Sequence, residues 1–171
     1  MSKSKFVITL IVLAFFLSSC SEDDDIHPNH SLILGAWKLV SAESSTMNTF
    51  QINGTSEQTM TKNSHHNIRV TTTFKEDNSV TSKGTSNIDV TSLINGIENT
   101  TKLKNVPSTF NGSWLIDEEK LILTTIEGIE EYTIEKITEN KMVLTINTNI
   151  TRVQTGITSI IVSDTRLEFK K

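Results

Sequence analysis

The chain reads as an all-β protein, an antiparallel barrel of eight to ten strands behind a short apolar leader. Three observations carry that expectation. After residue 31 the sequence is dominated by Thr, Val and Ile and holds only one of the chain's two prolines. No segment of ten or more residues there carries an apolar 3.6-residue period. Alternation at period two recurs instead, between clusters of turn-forming residues.

The leader comes first. Lys3 and Lys5 give a short positive start, Phe6 to Leu17 is a twelve-residue apolar run, and Leu17-Ser18-Ser19-Cys20 follows. A spanning helix needs about 20 apolar residues, so this run is too short and lacks a basic stop-transfer flank. Leu-Ser-Ser-Cys resembles the lipobox of bacterial lipoproteins. That resemblance implies cleavage after Ser19 and acyl chains, palmitate among them, on Cys20 as the mature N-terminus. Cys20 is the only cysteine, so no intramolecular disulfide forms. Two or three acyl chains hold a protein on a bilayer where one holds only marginally.

Residues 20–31 follow as lipidated Cys and linker. Ser21 to Ser31 is polar and acidic, with too little apolar surface to offset ordering entropy. Glu22, Asp23, Asp24 and Asp25 resemble the signal that sends some Gram-negative lipoproteins to the outer face of the outer membrane. The expected location is the outer membrane, on its periplasmic side or at the cell surface. Without residues 1–19 the chain holds fourteen basic and twenty acidic residues, a net −6. No basic patch of the kind nucleic acid requires is present.

Residues 32–171 are the domain. Trp37, Leu39 and Ser41 alternate with Lys38 and Val40, and Val70, Thr72 and Phe74 with Arg69, Thr71 and Thr73. Leu121 and Leu123 form a third pattern, and Met142, Leu144 and Ile146 a fourth. Turn signals separate these runs at Lys75–Asn78, Asn95–Gly96, Asp117–Glu119, Glu127–Gly128 and Thr138–Asn140. A chain of this kind closes its edges in a barrel or a two-sheet sandwich. The length, the missing cysteines and a Trp on the first strand disfavour an immunoglobulin-like sandwich. A transmembrane barrel needs aromatic girdles and an apolar outer stripe, which Thr, Lys, Glu and Arg on the second faces do not supply.

Leu32-Ile33-Leu34-Gly35-Ala36-Trp37-Lys38-Leu39-Val40 resembles the start of lipocalin-like domains. There a helical turn closes one end of the barrel and Gly-x-Trp opens the first strand. Thr73 to Val80, Gly112 to Thr124 and Tyr132 to Leu144 are similar to later hairpins of small lipocalin-like lipoproteins. The resemblance implies an Arg on the last strand stacked over the Trp37 ring, with Arg166 the first candidate and Arg152 the second. The structural signature is thus Gly35, Trp37 and Arg166. Departures are the missing Thr-Asp-Tyr motif and Thr46 to Asn67, which reads as a polar insertion between the first strands.

The residues offer little chemistry. His27 and His30 lie in the linker, while His65 and His66 are strand neighbours that project to opposite faces. A zinc site needs three or four convergent ligands, so no metal or cofactor is expected. No nucleophile elbow, phosphate loop or buried acid pair is present, and no enzyme is expected. The Asn-x-Ser/Thr tripeptides at Asn53, Asn99, Asn111 and Asn149 carry little weight in a bacterial export context. The leading expectation is an outer-membrane-anchored lipoprotein whose barrel holds a small apolar ligand. The alternative is an envelope adhesion or accessory subunit that binds a protein or glycan through an exposed strand face. Phe50, Phe74, Phe110, Trp114 and Leu144 either line a cavity or fill it, filling being the expectation.

Overall fold

The structure, a computed structural model, describes residues 30–171. The expected signal peptide, Cys20, the acidic run and His27 lie outside the described residues. A single helical turn, α1 (His30–Ile33), precedes eight strands: β1 (Gly35–Ile52), β2 (Thr55–Phe74), β3 (Ser79–Ile94), β4 (Ile97–Asp117), β5 (Lys120–Thr125), β6 (Gly128–Ile137), β7 (Lys141–Gln154) and β8 (Ile157–Lys170). They pair in sequence order, all antiparallel, and β8 returns to β1 to close the barrel. The all-β antiparallel barrel expected from the sequence is what forms.

Alternation explains the core. Trp37, Phe74, Val80, Trp114, Leu121, Leu123, Ile134, Met142, Leu144 and Phe169 all point inward and pack with Ile33 of α1. An eight-stranded barrel is just wide enough for side chains to fill it, and they fill the end that α1 covers. Burying one large aliphatic or aromatic side chain contributes about 1.5–3 kcal/mol, so this end anchors the fold. The eight described strands close on themselves around this core.

α1 begins at His30, inside the stretch read as linker, because the His30 ring stacks on Trp114 at 4.6 Å between centroids. Gly35 then turns the chain into β1 at φ +107°, in the left-handed region. The Trp37 indole N–H donates to the Ile33 carbonyl at 2.6 Å, tying turn and strand together.

Two expectations are corrected. Thr46 to Asn67 is no insertion: it is the outer half of the β1–β2 hairpin, paired residue by residue from Glu43↔Ser64 to Ile52↔Thr55 around the turn Asn53-Gly54. Its alternation is written in Thr, Asn, Ser and Gln, so it lacks an apolar face to read. Ser41 does not share the face of Trp37 and Leu39, because the register between β1 and β8 shifts between Leu39 and Ser41. Ala42, opposite Leu167, takes the inward place, and Ser41 faces outward beside Glu168.

The barrel wall is uneven. β2 has 20 residues and β4 has 21, while β5 has six and β6 ten. At about 3.3 Å per residue β2 runs roughly 65 Å and β5 roughly 20 Å. β5 meets β4 only from Gly112 to Asp117, and β6 meets β7 only from Met142 to Thr145. Above that level β7, β8, β1, β2, β3 and β4 continue as a six-stranded curved sheet, open on the β5–β6 side. Pro107 sits in β4 where that strand has a neighbour on one side only, the place a sheet tolerates a residue without an N–H.

Candidate functional site

Above the packed end, the inward face changes from apolar to polar. Leu39, Val70, Phe110, Leu167 and Phe169 floor a cavity of about 260 Å³, with Ala42 in its wall. Glu43, Ser44, His65, Thr72, Ser82, Ser108, Tyr132 and Thr165 complete its lining. The size lies just below the usual range for a small-molecule site, about 300–1,000 Å³, so the space suits one very small molecule or part of a larger one.

The polar lining is largely tied up in hydrogen bonds. Thr72 Oγ1 donates to Ser82 Oγ at 3.1 Å, and both residues are buried. His65 Nδ1 and Ser86 Oγ share a hydrogen bond of 2.9 Å. Asn63 donates its amide N–H to Ser44 Oγ at 3.0 Å. The Tyr132 hydroxyl donates to Glu130 Oε2 at 2.9 Å, at the short β5–β6 wall. Burial and the nearby Glu130 charge raise the Tyr132 pKa, so the phenol stays protonated. Burial and then the neighbouring His66 lower the His65 pKa, which favours the neutral imidazole in the cavity wall. A hydroxyl-rich belt over an apolar floor, with Glu43 at its edge, can bind and orient an amphiphile.

A second hollow, about 560 Å³, lies on the outer side of the sheet. Glu43, Ser45, Thr145, Asn147, Asp164 and Arg166 line it along one face of β1, β7 and β8, with Glu135 from β6 and Lys62 from β2. Arg166 pairs there with Glu135 and, at 3.5 Å, with Glu168. The Glu135 bond leads the upward shift of the Arg166 pKa. Arg166 and Glu135 thus neutralise each other in this hollow.

Trp37 lies at the closed end, fully buried, with Gly35 beside it. The cation over its ring is neither Arg166 nor Arg152 but Lys171, whose Nζ lies 4.6 Å from the ring centroid. The reason is parity: Phe169 and Leu167 point inward, so Arg166 points outward, while Lys171, just past the end of β8, folds under the floor. Arg152 pairs with Ser159 near the far tip of β7. His65 and His66 do project to opposite faces, His65 into the cavity and His66 toward Asp89 outside, at 3.9 Å. Among the described residues no three His, Cys, Asp or Glu side chains group as a metal site. No helix among them is long and apolar enough to cross a membrane.

Sequence reasoning missed His65, Tyr132 and the Thr72–Ser82 pair as cavity residues, and Ser86 as the partner of His65. The signal was there for His65, which alternates in phase with Asn63 and Thr61. It was masked by the register shift between His66 and Arg69 that brings Val70 and His65 to the same side.

Eight antiparallel strands joined in sequence order and closed on themselves are the up-and-down arrangement of lipocalins. The fold is a closed eight-stranded up-and-down barrel. No protein-family model matches the chain, and no curated protein matches it. Among solved structures the chain is similar to a lipocalin-like protein from Bacteroides uniformis ATCC 8492, at 15% identity and a TM-score of 0.32, covering 77% of this chain and 97% of the other.

Proposed function

We propose that this lipocalin-like barrel is an outer-membrane lipoprotein, anchored through acyl chains on Cys20, that holds one small apolar or amphiphilic molecule in its inner cavity. The observation that carries the reading is the cavity of about 260 Å³ between an apolar floor and a hydroxyl–imidazole belt. A fully packed interior would leave no such space. The polar belt sets the ligand class: an apolar body with one hydroxyl, carbonyl or ether group to exchange with the Thr72–Ser82 or His65–Ser86 bond.

Saturable binding of N-phenyl-1-naphthylamine, read by fluorescence, tests the cavity. Ala42, 4% exposed and in the cavity wall, is the place to fill it. Ala42→Phe is expected to abolish binding while far-ultraviolet circular dichroism stays that of the wild type. Binding that survives this substitution, or is absent throughout, overturns the reading. The anchor is tested separately by mass spectrometry of the N-terminal peptide from purified envelopes. An intact Met1 terminus without acyl chains contradicts it.

A second reading, an adhesion or accessory subunit, is favoured by the open end. The hairpin tips there expose Ile52, Ile97, Ile126 and Val153, the last two at 101% and 78%. Protease shaving of intact cells that leaves the protein whole removes the surface-exposed form of that reading.

A further inference from the structure

We propose that a rung of lysines around the closed end of the barrel docks on the anionic, phosphate-bearing headgroups of a lipid bilayer. The rung follows directly from the register. Lys141 of β7 stands opposite Lys170 of β8, and Lys170 opposite Lys38 of β1. Lys38 stands opposite Thr71 of β2, and Thr71 opposite Lys83 of β3. Met142, Phe169, Trp37 and Thr72 next to them along the strands are buried inside, so these residues share the outer face. Four lysines thus occupy one row across five adjacent strands, and the row holds no acid.

Like charges directly opposite one another destabilise a sheet. Among the described residues only Lys141 of these four has a carboxylate partner, Glu168 at 3.4 Å. The positive flank is not a by-product of basic composition, since the chain as a whole carries −4. A surface of anionic headgroups supplies the missing counter-charge. The turns around the closed end are acidic, with Glu76-Asp77 between β2 and β3 of this flank, Glu139 between β6 and β7, and Asp117-Glu118-Glu119 between β4 and β5. The barrel therefore meets the bilayer on its β7-β8-β1-β2-β3 flank and not squarely end-on.

The chain enters this same end through α1. Ten residues from Cys20 to His30 span at most about 35 Å, well short of the roughly 65 Å of β2. Acyl chains on Cys20 would then hang from the lysine end, with the open end pointing away. This step rests on the anchoring reading, whereas the charge pattern does not.

The strands of residues 30–171 close on themselves, so the barrel is tested without leader or lipid, its folding checked first by circular dichroism. The measurement is co-sedimentation with vesicles of one-third phosphatidylglycerol in phosphatidylcholine, against vesicles of phosphatidylcholine alone. Binding to the anionic vesicles only, lost near 1 M salt where the screening length falls to about 3 Å, is expected. Each lysine near such a surface contributes roughly fivefold in partitioning, so Lys38→Gln with Lys170→Gln weakens it by about tenfold or more. Lys83→Gln with Lys141→Gln has a similar effect, and Lys102→Gln with Lys104→Gln on the far part of β4 leaves it unchanged. Equal binding to both vesicles, indifference to salt or equal losses from all three pairs overturns the proposal. Failure to bind either vesicle also overturns it. A barrel that binds the naphthylamine probe but ignores anionic vesicles fails here alone; the reverse result fails the cavity reading alone.

Discussion

The ammonium of Lys171 sits 4.6 Å from the centre of the Trp37 ring and donates to the Leu32 carbonyl at 3.1 Å. One side chain at the end of the domain thus clamps the α1 turn and the floor indole together. A cation over an indole contributes about 0.5–1 kcal/mol at an exposed site. Lys171→Ala is expected to lower unfolding free energy by about 1 kcal/mol, and Trp37→Ala by about 3–5 kcal/mol. Arg166→Ala, which removes an exposed ion pair, is expected to cost the least of the three. Urea denaturation of the three variants checks the order, and a larger loss for Arg166 than for Lys171 contradicts the assignment.

Gly84 is where the sheet wall tolerates no side chain. A β-carbon there would lie 1.9 Å from the Arg69 carbonyl oxygen, at φ +153°. The Arg69 backbone is held in the β2–β3 ladder and cannot yield cheaply. Gly84→Ala is expected to cost about 1–3 kcal/mol or more through overpacking. Gly54, at the exposed β1–β2 turn, has nothing within 4 Å of its would-be β-carbon. Gly54→Ala then costs only the left-handed backbone penalty of about 1–2 kcal/mol. Thermal melts in parallel distinguish them, and equal losses would show that crowding at Gly84 is relieved.

His65 gives the protein a pH dependence whose sign follows from its surroundings. Its pKa is lowered in the fold, chiefly by burial and then by His66, so the unfolded chain takes up a proton first as pH falls. Stability is fully present above the ordinary histidine pKa of about 6.5 and is lost as pH drops through the folded value. The melting temperature is expected to fall between pH 7 and pH 5, and less steeply in His65→Gln. A variant slope equal to that of the wild type would exclude His65 as the source.

Much of the fold was legible because each core strand writes its inward face in apolar residues. Met142, Leu144 and Ile146, or Leu121 and Leu123, mark the barrel wall without ambiguity, and Lys75–Asn78 and Asn95–Gly96 form turns where the sequence places them. The candidate site was far less legible. Its lining is Ser, Thr, His and Tyr, which in sequence resemble a solvated face. Register shifts at Leu39/Ser41 and His66/Arg69 also change which alternate residues point inward. Asn53-Gly54, a strong hairpin signal, was obscured by polar strands on both sides. The lysine rung depends on cross-strand register, which no local pattern encodes.

The central claim is that the space between Phe110 and His65 holds a guest. Native mass spectrometry of the protein released gently from envelopes addresses it most directly. The expected spectrum shows one noncovalent adduct on the polypeptide, absent from Ala42→Phe prepared alongside. A wild-type spectrum with no mass beyond the chain and its covalent acyl groups would contradict the account.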